Sequence, residues 1–142
     1  GATGLPQAQA FALQPTAQPV RLRLADRPFA QAHSDFVRHK TTHRAHYAAF
    51  APAADSGCFD TLLHNPAGEI TESTFGNVAA LIDGRWITPA LACGLLPGVG
   101  RAVALADGRV REGVLRLRDI PRVRAWAFMN SLRGWLDAVV VS

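Results

Sequence analysis

The chain has 142 residues, of which 49% are apolar, and a formal net charge of +4 at pH 7. This length and apolar fraction fit one globular domain with a substantial core. No run of residues approaches the 18 apolar positions of a membrane helix and no signal-peptide pattern opens the chain, so we expect a cytoplasmic protein with no membrane partner.

Residues 1–19 are rich in Ala, Gln, Pro, Thr and Gly, which predicts a linker or flexible tail. The segment 20–25 alternates apolar and arginine residues, as a strand with one buried face does. We therefore expect the folded domain to occupy residues 20–142.

The middle of the chain predicts one helix followed by two hairpins. Thr41 and Thr42 are candidate N-caps of a helix that ends near Pro52. Predicted strands then cover residues 59–64 and 70–74, with a turn at 65–68, and residues 77–82 and 85–88, with Asp-Gly between them. Sheet structure is expected to dominate this third of the chain.

The last third predicts a loop over residues 89–98, a helix over 99–106 with Gly108 at its C-terminal end, and a strand over 110–117. Asp119 and Pro121 predict the start of a short helix. Closing strands are expected over residues 125–129 and 135–141. Hairpins mixed with a few helices indicate an α+β fold with a mixed or antiparallel sheet.

The charged and thiol residues exclude several classes of protein. The arginines are scattered and do not interleave with aromatic residues, which disfavours a nucleic-acid partner and leaves attraction of small anionic substrates. Cys58 and Cys93 lack a CxxC pattern, so we predict two reduced, core or near-core cysteines.

Lys40 is the only lysine in a chain with 14 arginines among its 15 basic residues. A lysine amine can lose its proton when its pKa is lowered and can then attack a carbonyl, whereas a guanidinium cannot. This favours Schiff-base chemistry at Lys40, and the alternative is an ordinary surface lysine. His39, His43 and His46 nearby invite a zinc site, but no Cys or carboxylate is obviously placed to complete it, so we predict no metal.

Three further stretches can bind a small charged molecule. The amides of Val99 and Gly100 open the predicted helix and can contact a phosphate, although many glycine loops only turn the chain. Ser131, in the predicted turn between the last two strands, can add a hydroxyl and an amide, or be part of a plain turn. Glu72 lies in a predicted strand either as surface charge or as a buried acid facing a cationic ring nitrogen.

Taken together, these stretches resemble the class IV aminotransferases, the fold-type IV enzymes that use pyridoxal phosphate. The resemblance rests on four motifs in the same order and spacing: His39-Lys40-Thr41-Thr42-x-Arg44-x-x-Tyr47, Gly68-x-Ile70-Thr71-Glu72-Ser73-x-x-x-Asn77, Thr88-Pro89-x-x-x-x-Gly94-Leu95-Leu96-Pro97-Gly98-Val99-x-Arg101, and Asn130-Ser131-Leu132-Arg133-Gly134. It covers the chain from about residue 20 to the end, and it implies the large domain of this fold, with a mixed sheet or pseudo-barrel and few helices.

The resemblance also implies the role of each site residue. Lys40 would bond to the cofactor aldehyde and shuttle the substrate proton, while Glu72 would pair with the pyridinium nitrogen. Leu96 would pack on the ring. The remaining residues would contact the ring substituents or the phosphate: Asn77, Val99, Gly100 and Ser131.

Within the family, the residues of the first and last motifs most resemble those of aminodeoxychorismate lyase, which releases pyruvate and 4-aminobenzoate for folate synthesis. The alternatives are a branched-chain or D-amino-acid aminotransferase and a catalytically silent domain of the same fold. Family members carry a smaller N-terminal domain, and because only the predicted tail precedes residue 20, we expect this chain to be the C-terminal piece of a longer protein. The resemblance therefore implies a missing small domain or a fused chorismate-using module as partner, and a possible homodimer.

Overall fold

The computed structural model describes residues 16–30 and 45–141, and within these ranges it contains eight strands and two α-helices. The strands are β1 (Val20–Leu24), β2 (Asp60–His64), β3 (Ile70–Ser73), β4 (Asn77–Ile82), β5 (Arg85–Pro89), β6 (Arg111–Gly113), β7 (Ala125–Asn130) and β8 (Gly134–Val141). The helices are α1 (Ala45–Ala48) and α2 (Val99–Ala106), with 3-10 helices at Leu91–Cys93 and Leu117–Arg122.

All eight strands form one sheet in the order β3-β2-β1-β8-β7-β4-β5-β6. The pairs β1–β2, β1–β8 and β5–β6 are parallel, and the other four pairs are antiparallel. The sheet is therefore mixed, as predicted. Its long connections carry the helices, while the antiparallel pairs β2–β3, β4–β5 and β7–β8 are joined by the short turns that the sequence indicates.

The sheet curls until its two ends meet. The amide of Ile70, in edge strand β3, donates to the carbonyl of Leu115 at 2.7 Å, and the Leu117 amide donates to the Gly68 carbonyl at 3.0 Å. Residues 115–117 follow the opposite edge strand, β6, so the chain beyond β6 covers the open edge of β3. This arrangement confirms the predicted α+β pseudo-barrel.

The main hydrophobic cluster lies between the faces of this curled sheet. Val20 and Leu22 of β1 are buried in it while Arg21 between them is exposed, as the alternation of the sequence predicts. Phe128 of β7 is fully buried in the same cluster and packs edge-to-face on Phe59 at 5.0 Å between ring centroids. The core thus joins the first and last strands of the domain.

The predicted strand over residues 110–117 is wrong in its length. Only Arg111–Gly113 pair with β5, because β5 ends at Pro89 and residues 115–117 turn to β3 instead. The following helix is a 3-10 helix that begins at Leu117 and not at Asp119. Asp119 instead accepts a hydrogen bond from the Arg116 amide at 2.9 Å, which closes the first turn.

The other predicted boundaries agree more closely. Helix α1 ends at Ala48 rather than near Pro52, and its predicted caps at Thr41 and Thr42 lie outside the described residues. Gly108 has a φ of 73° just beyond α2, as expected of a glycine that ends a helix. Across residues 16–30 and 45–141, no helix has the length and apolar character needed to cross a membrane.

Residues just before β1 already contact the domain. The Asp137 amide donates to the Gln18 side-chain oxygen at 2.8 Å, and an Arg133 guanidinium nitrogen donates to the Thr16 hydroxyl at 2.6 Å. Part of the predicted tail therefore lies along the β7–β8 hairpin. The division into residues 1–19 and 20–142 remains a prediction.

Candidate active site

Glu72 is a buried carboxylate on the edge strand β3, with only 3% of its surface exposed. Leu62 pairs with Ser73 and His64 pairs with Ile70, so Thr71 and Glu72 together lie opposite the single residue Leu63. This is a β-bulge, and bulges commonly redirect a side chain next to a functional site. Of the two readings that the sequence leaves open, the structure shows the buried acid.

Two donors from separate segments bind the Glu72 carboxylate. The Tyr47 hydroxyl, on α1, donates to Oε2 at 3.0 Å. The Leu96 amide, in the loop before α2, donates to Oε1 at 3.2 Å. Because the two donors approach different oxygens, they orient the plane of the carboxylate.

The ring of Tyr47 is fixed by aromatic packing. It stacks on Phe29 with 5.0 Å between ring centroids, and Phe50 packs edge-to-face on the ring of Phe29 with 5.5 Å between centroids. These residues form a small buried cluster with Ala25 and Leu63, the residue opposite the bulge. The hydroxyl therefore reaches Glu72 from a rigid base.

Asn77, the first residue of β4, holds the loop that follows the second hairpin. Its Nδ2 donates to the Leu96 carbonyl at 2.9 Å, and its Oδ1 accepts a hydrogen bond from the Gly98 amide at 3.2 Å. Asn77 is 4% exposed, so both polar ends of its amide are satisfied inside the protein. One side chain thus fixes the path of the chain into α2.

The N-terminus of α2 has no side-chain cap. Its N-cap is Gly98, which is extended and supplies no side-chain cap to the first turn, where the Val99 and Gly100 amides lie. Uncapped amides and the helix dipole together favour a negative charge at this position. A Cβ on Gly100 would lie 3.5 Å from the Asn130 carbonyl, so the first turn contacts the end of β7.

The turn after β7 lies beside this helix start. The Asn130 side chain donates to the Phe75 carbonyl at 3.1 Å and accepts a hydrogen bond from the Arg133 amide at 2.7 Å. Ser131, the next residue, is exposed. The structure therefore brings Ser131, Gly100 and the β3–β4 turn to one end of the sheet.

Arg101 fastens α2 to the sheet edge. It is 4% exposed, and its guanidinium donates to the Pro89 carbonyl at 3.1 Å and forms an ion pair with Glu112. Pro89 and Glu112 belong to the adjacent strands β5 and β6. The position of the helix start is therefore set from one side by Asn77 and from the other by Arg101.

Asp60 is a buried acid that the sequence analysis did not select. It is fully buried in β2 and accepts hydrogen bonds from the Thr61 amide at 2.7 Å, the Thr74 hydroxyl at 2.5 Å and the Phe75 amide at 2.9 Å. These contacts shape the β3–β4 turn between Glu72 and Asn77. A lone Asp at the start of a predicted strand gives no sequence signal for this role.

Cys58 and Cys93 are both free thiols, half-buried and buried respectively, as predicted. Burial, followed by the negative charge of Glu69, raises the pKa of the Cys93 thiol. The Cys93 thiol is thus protonated at neutral pH, and the side chain packs in the protein interior.

The predicted nucleophile is not among these residues, because Lys40, with His39 and His43, lies outside the described residues. In the part of the chain that the structure describes, no three His, Cys, Asp or Glu side chains are grouped to hold a metal ion. Among the described site residues, Glu72, Leu96 and Asn77 are joined by direct hydrogen bonds. Val99, Gly100 and Ser131 lie at the adjoining helix start and turn.

This arrangement fits a phosphorylated heterocycle. The uncapped start of α2, next to the Ser131 turn, can bind a phosphate, and the oriented Glu72 carboxylate can accept a hydrogen bond from a protonated ring nitrogen. Leu96, whose amide binds Glu72, is half-buried beside them. The residues present therefore match the donors and acceptors that pyridoxal phosphate requires.

One sequence relative and two solved structures show what the chain is similar to. The chain is 33% identical over 129 residues to a fission yeast (Schizosaccharomyces pombe) protein named "Putative aminodeoxychorismate lyase", covering 87% of the chain and 56% of the relative. The solved structure of a "Putative amino-acid aminotransferase" from Mesorhizobium loti is 39% identical in sequence, with a TM-score of 0.81. The match covers 90% of this chain and 63% of the Mesorhizobium loti chain.

The second structure shows likeness of fold alone. It is a "Putative 4-amino-4-deoxychorismate lyase" from Legionella pneumophila, 22% identical, with a TM-score of 0.78 over 89% of this chain and 49% of its own. The chain thus spans between about half and two thirds of the length of these relatives. The Amino-transferase class IV family model matches residues 5–140, a range that contains the bulged carboxylate, the clamped loop and the uncapped helix. The chain therefore belongs to the class IV aminotransferase family.

Proposed function

We propose that the chain is the cofactor-binding part of a pyridoxal-phosphate-dependent 4-amino-4-deoxychorismate lyase, which releases pyruvate and 4-aminobenzoate for folate biosynthesis. The buried, doubly hydrogen-bonded Glu72 beside an uncapped helix start supports the cofactor. The 33% identity to the fission yeast relative supports the lyase reaction.

The roles of Lys40 and Glu72 follow from this proposal. When bound, pyridoxal phosphate supplies an electron sink for the negative charge that develops at the substrate carbon. Glu72 holds the proton on the ring nitrogen, because a carboxylate in a site 3% exposed strongly favours a cationic partner. Lys40 would hold the cofactor through its aldehyde and would carry the proton that leaves the substrate carbon. Formation of the aromatic ring would then favour loss of the side chain as pyruvate.

The other proposed residues bind and orient. Val99 and Gly100 amides, with the Ser131 hydroxyl and amide, bind the phosphate at the start of α2. The Leu96 side chain packs on one face of the ring. Asn77 lies near the ring substituents, and its hydrogen bonds to Leu96 and Gly98 support its role in fixing both groups.

The second candidate function is a class IV amino-acid aminotransferase, acting on branched-chain or D-amino acids. The 39% identity to the Mesorhizobium loti protein favours it, since that protein is named for amino-acid transamination. A catalytically silent domain of the same fold is the third reading. Because the chain covers 56% of the fission yeast relative, we propose that residues 20–142 act with an N-terminal small domain or a fused chorismate-using module.

A homodimer, a small anionic substrate and a cytoplasmic location complete the proposal. The excess of basic residues supports attraction of an anion, since the net charge is +4. Size measurement of the purified protein by light scattering tests the dimer. A monomer at micromolar concentration would contradict that part of the proposal alone.

Borohydride trapping separates the enzyme from the silent domain. The protein is incubated with pyridoxal phosphate, reduced, digested and mapped by mass spectrometry. We expect one adduct, on the peptide that carries Lys40, and no adduct in Lys40→Arg. An unlabelled Lys40 peptide would refute the proposed covalent role.

Product analysis separates the lyase from the aminotransferase. The protein, together with its upstream sequence, is incubated with 4-amino-4-deoxychorismate in one reaction and with amino acids plus 2-oxoglutarate in another. We expect pyruvate and 4-aminobenzoate in equal amounts in the first reaction. Glutamate from the second reaction, without 4-aminobenzoate from the first, would establish the aminotransferase instead.

A further inference from the structure

We propose that Tyr47 is a positioning residue whose hydroxyl fixes the orientation of the Glu72 carboxylate toward the cofactor ring. This inference rests on the proposed cofactor site and adds a residue to it. The hydroxyl lies 3.0 Å from Glu72 Oε2 in a buried setting and donates a hydrogen bond to it, while the Leu96 amide donates to the other oxygen, Oε1.

The need for two donors is geometric. A carboxylate on an edge strand can rotate about its last side-chain bond, and the Leu96 amide constrains only Oε1. The Tyr47 hydroxyl constrains Oε2, so the plane of the carboxylate is defined by two points from separate segments. A carboxylate with a fixed plane presents its oxygens to the ring nitrogen in a fixed direction.

The hydroxyl can do this because the ring beneath it does not move freely. Tyr47 is 6% exposed and stacks on Phe29 at an interplanar angle of 29°. The contribution of the ring is to packing, whereas the contribution of the hydroxyl is to Glu72. Replacement by Phe separates the two, because it keeps the stacked ring and removes only the donor.

The chain offers an unusually direct measurement, because Tyr47 is its only tyrosine. The rise in absorbance near 295 nm on titration to high pH therefore reports this phenol alone, without cofactor. A carboxylate that accepts the phenol proton disfavours the phenolate. We expect the phenol of Glu72→Gln to titrate about one pH unit below that of the parent protein.

The matched control for this titration is Glu69→Gln. Glu69 precedes β3 and hydrogen bonds Asn65, so the variant removes a neighbouring carboxylate that belongs to another cluster. We expect its tyrosine titration to match that of the parent. Equal titration of the parent and Glu72→Gln would overturn the proposal, whether or not the protein binds cofactor.

The second measurement uses the protein loaded with pyridoxal phosphate. In Tyr47→Phe we expect kcat to fall about tenfold with KM within twofold of the parent, because the lost hydrogen bond orients Glu72 and does not contact substrate. The visible spectrum of the bound cofactor changes with pH, and we also expect the midpoint of that change to shift in this variant. Phe50→Leu, which alters the same aromatic cluster and keeps the hydroxyl, should leave that midpoint unchanged.

These outcomes can be distinguished from a failure of the proposed lyase function. Parent-like kcat and spectrum in Tyr47→Phe would refute the positioning role even if Lys40 is labelled. Failure of the parent to label at Lys40 would refute the proposed function, while the cofactor-free titration would still decide whether Tyr47 and Glu72 are coupled.

Discussion

Asn77 and Gly98 lie so close together that a side chain at position 98 would collide with the Asn77 amide. The Gly98 amide donates to Asn77 Oδ1 at 3.2 Å, and a Cβ on Gly98 would lie within 3.0 Å of the same oxygen. The pair sets where α2 begins, and α2 presents the amides of the proposed phosphate site. Four predictions follow from this and from related contacts.

Gly98→Ala should destabilise the protein by about 1–3 kcal/mol, because the methyl group would displace the Asn77 side chain and its two hydrogen bonds. Gly100→Ala is the matched control, since a Cβ there meets only ordinary contacts at 3.5 Å or more. Urea unfolding followed by circular dichroism measures both variants. Equal free energies of unfolding for the two variants would contradict the close fit at Gly98.

Asp60→Ala should cost about 3 kcal/mol or more of unfolding free energy, because two buried hydrogen bonds and one part-buried hydrogen bond to this carboxylate are lost. Asp137→Ala is the control, since Asp137 is an exposed residue of β8, and its loss should change the free energy by less than about 0.5 kcal/mol. Thermal unfolding of the two variants and the parent provides the comparison. A small effect at Asp60 would show that the β3–β4 turn holds its shape without the carboxylate.

Cys58 should react with iodoacetamide faster than Cys93 in the native protein at pH 8. Cys93 is buried and its thiol pKa is raised above the ordinary 9.0, so less thiolate forms at any given pH. Because the folded state holds this proton more tightly than the unfolded state, the free energy of unfolding should also fall as the pH rises above about 9. Peptide mapping measures the two labelling rates, and they should become similar in denaturant.

A faster native reaction at Cys93 than at Cys58 would contradict the buried position of the Cys93 side chain. The pH dependence has its own control. In Cys93→Ala, the part of the stability loss above pH 9 that comes from this thiol should disappear, because the group that titrates is gone.

Arg101→Ala should destabilise the protein far more than Arg122→Ala. Arg101 is almost fully buried and bonds a backbone carbonyl as well as Glu112, so its removal leaves polar partners without a donor and should cost about 3 kcal/mol. Arg122 pairs with Asp83 at the surface, with side chains 57% and 76% exposed, where water and salt weaken ion pairs. Chemical denaturation of both variants tests this order, and similar losses would refute it.

The positions of the strands and helices along the chain were predictable, because local sequence patterns determine them. Alternation over Val20–Leu24, the Asp83-Gly84 turn and the glycine-bounded helix Val99–Ala106 each carry their own signal. The motifs around Glu72, Asn77 and Val99 likewise indicated a cofactor site before any contact was known. Sequence was therefore sufficient for the fold class, the family and the approximate positions of most elements.

Only the tertiary structure decided how those elements meet. The hydroxyl of Tyr47 on Glu72 and the turn of residues 115–117 toward β3 both depend on partners far away in the chain. The misplaced end of the predicted strand over 110–117 has the same origin, since its residues bond across the curled sheet. Such long-range contacts leave no local pattern in the sequence, because what selects them is the burial of a carboxylate and the closure of a sheet edge in three dimensions.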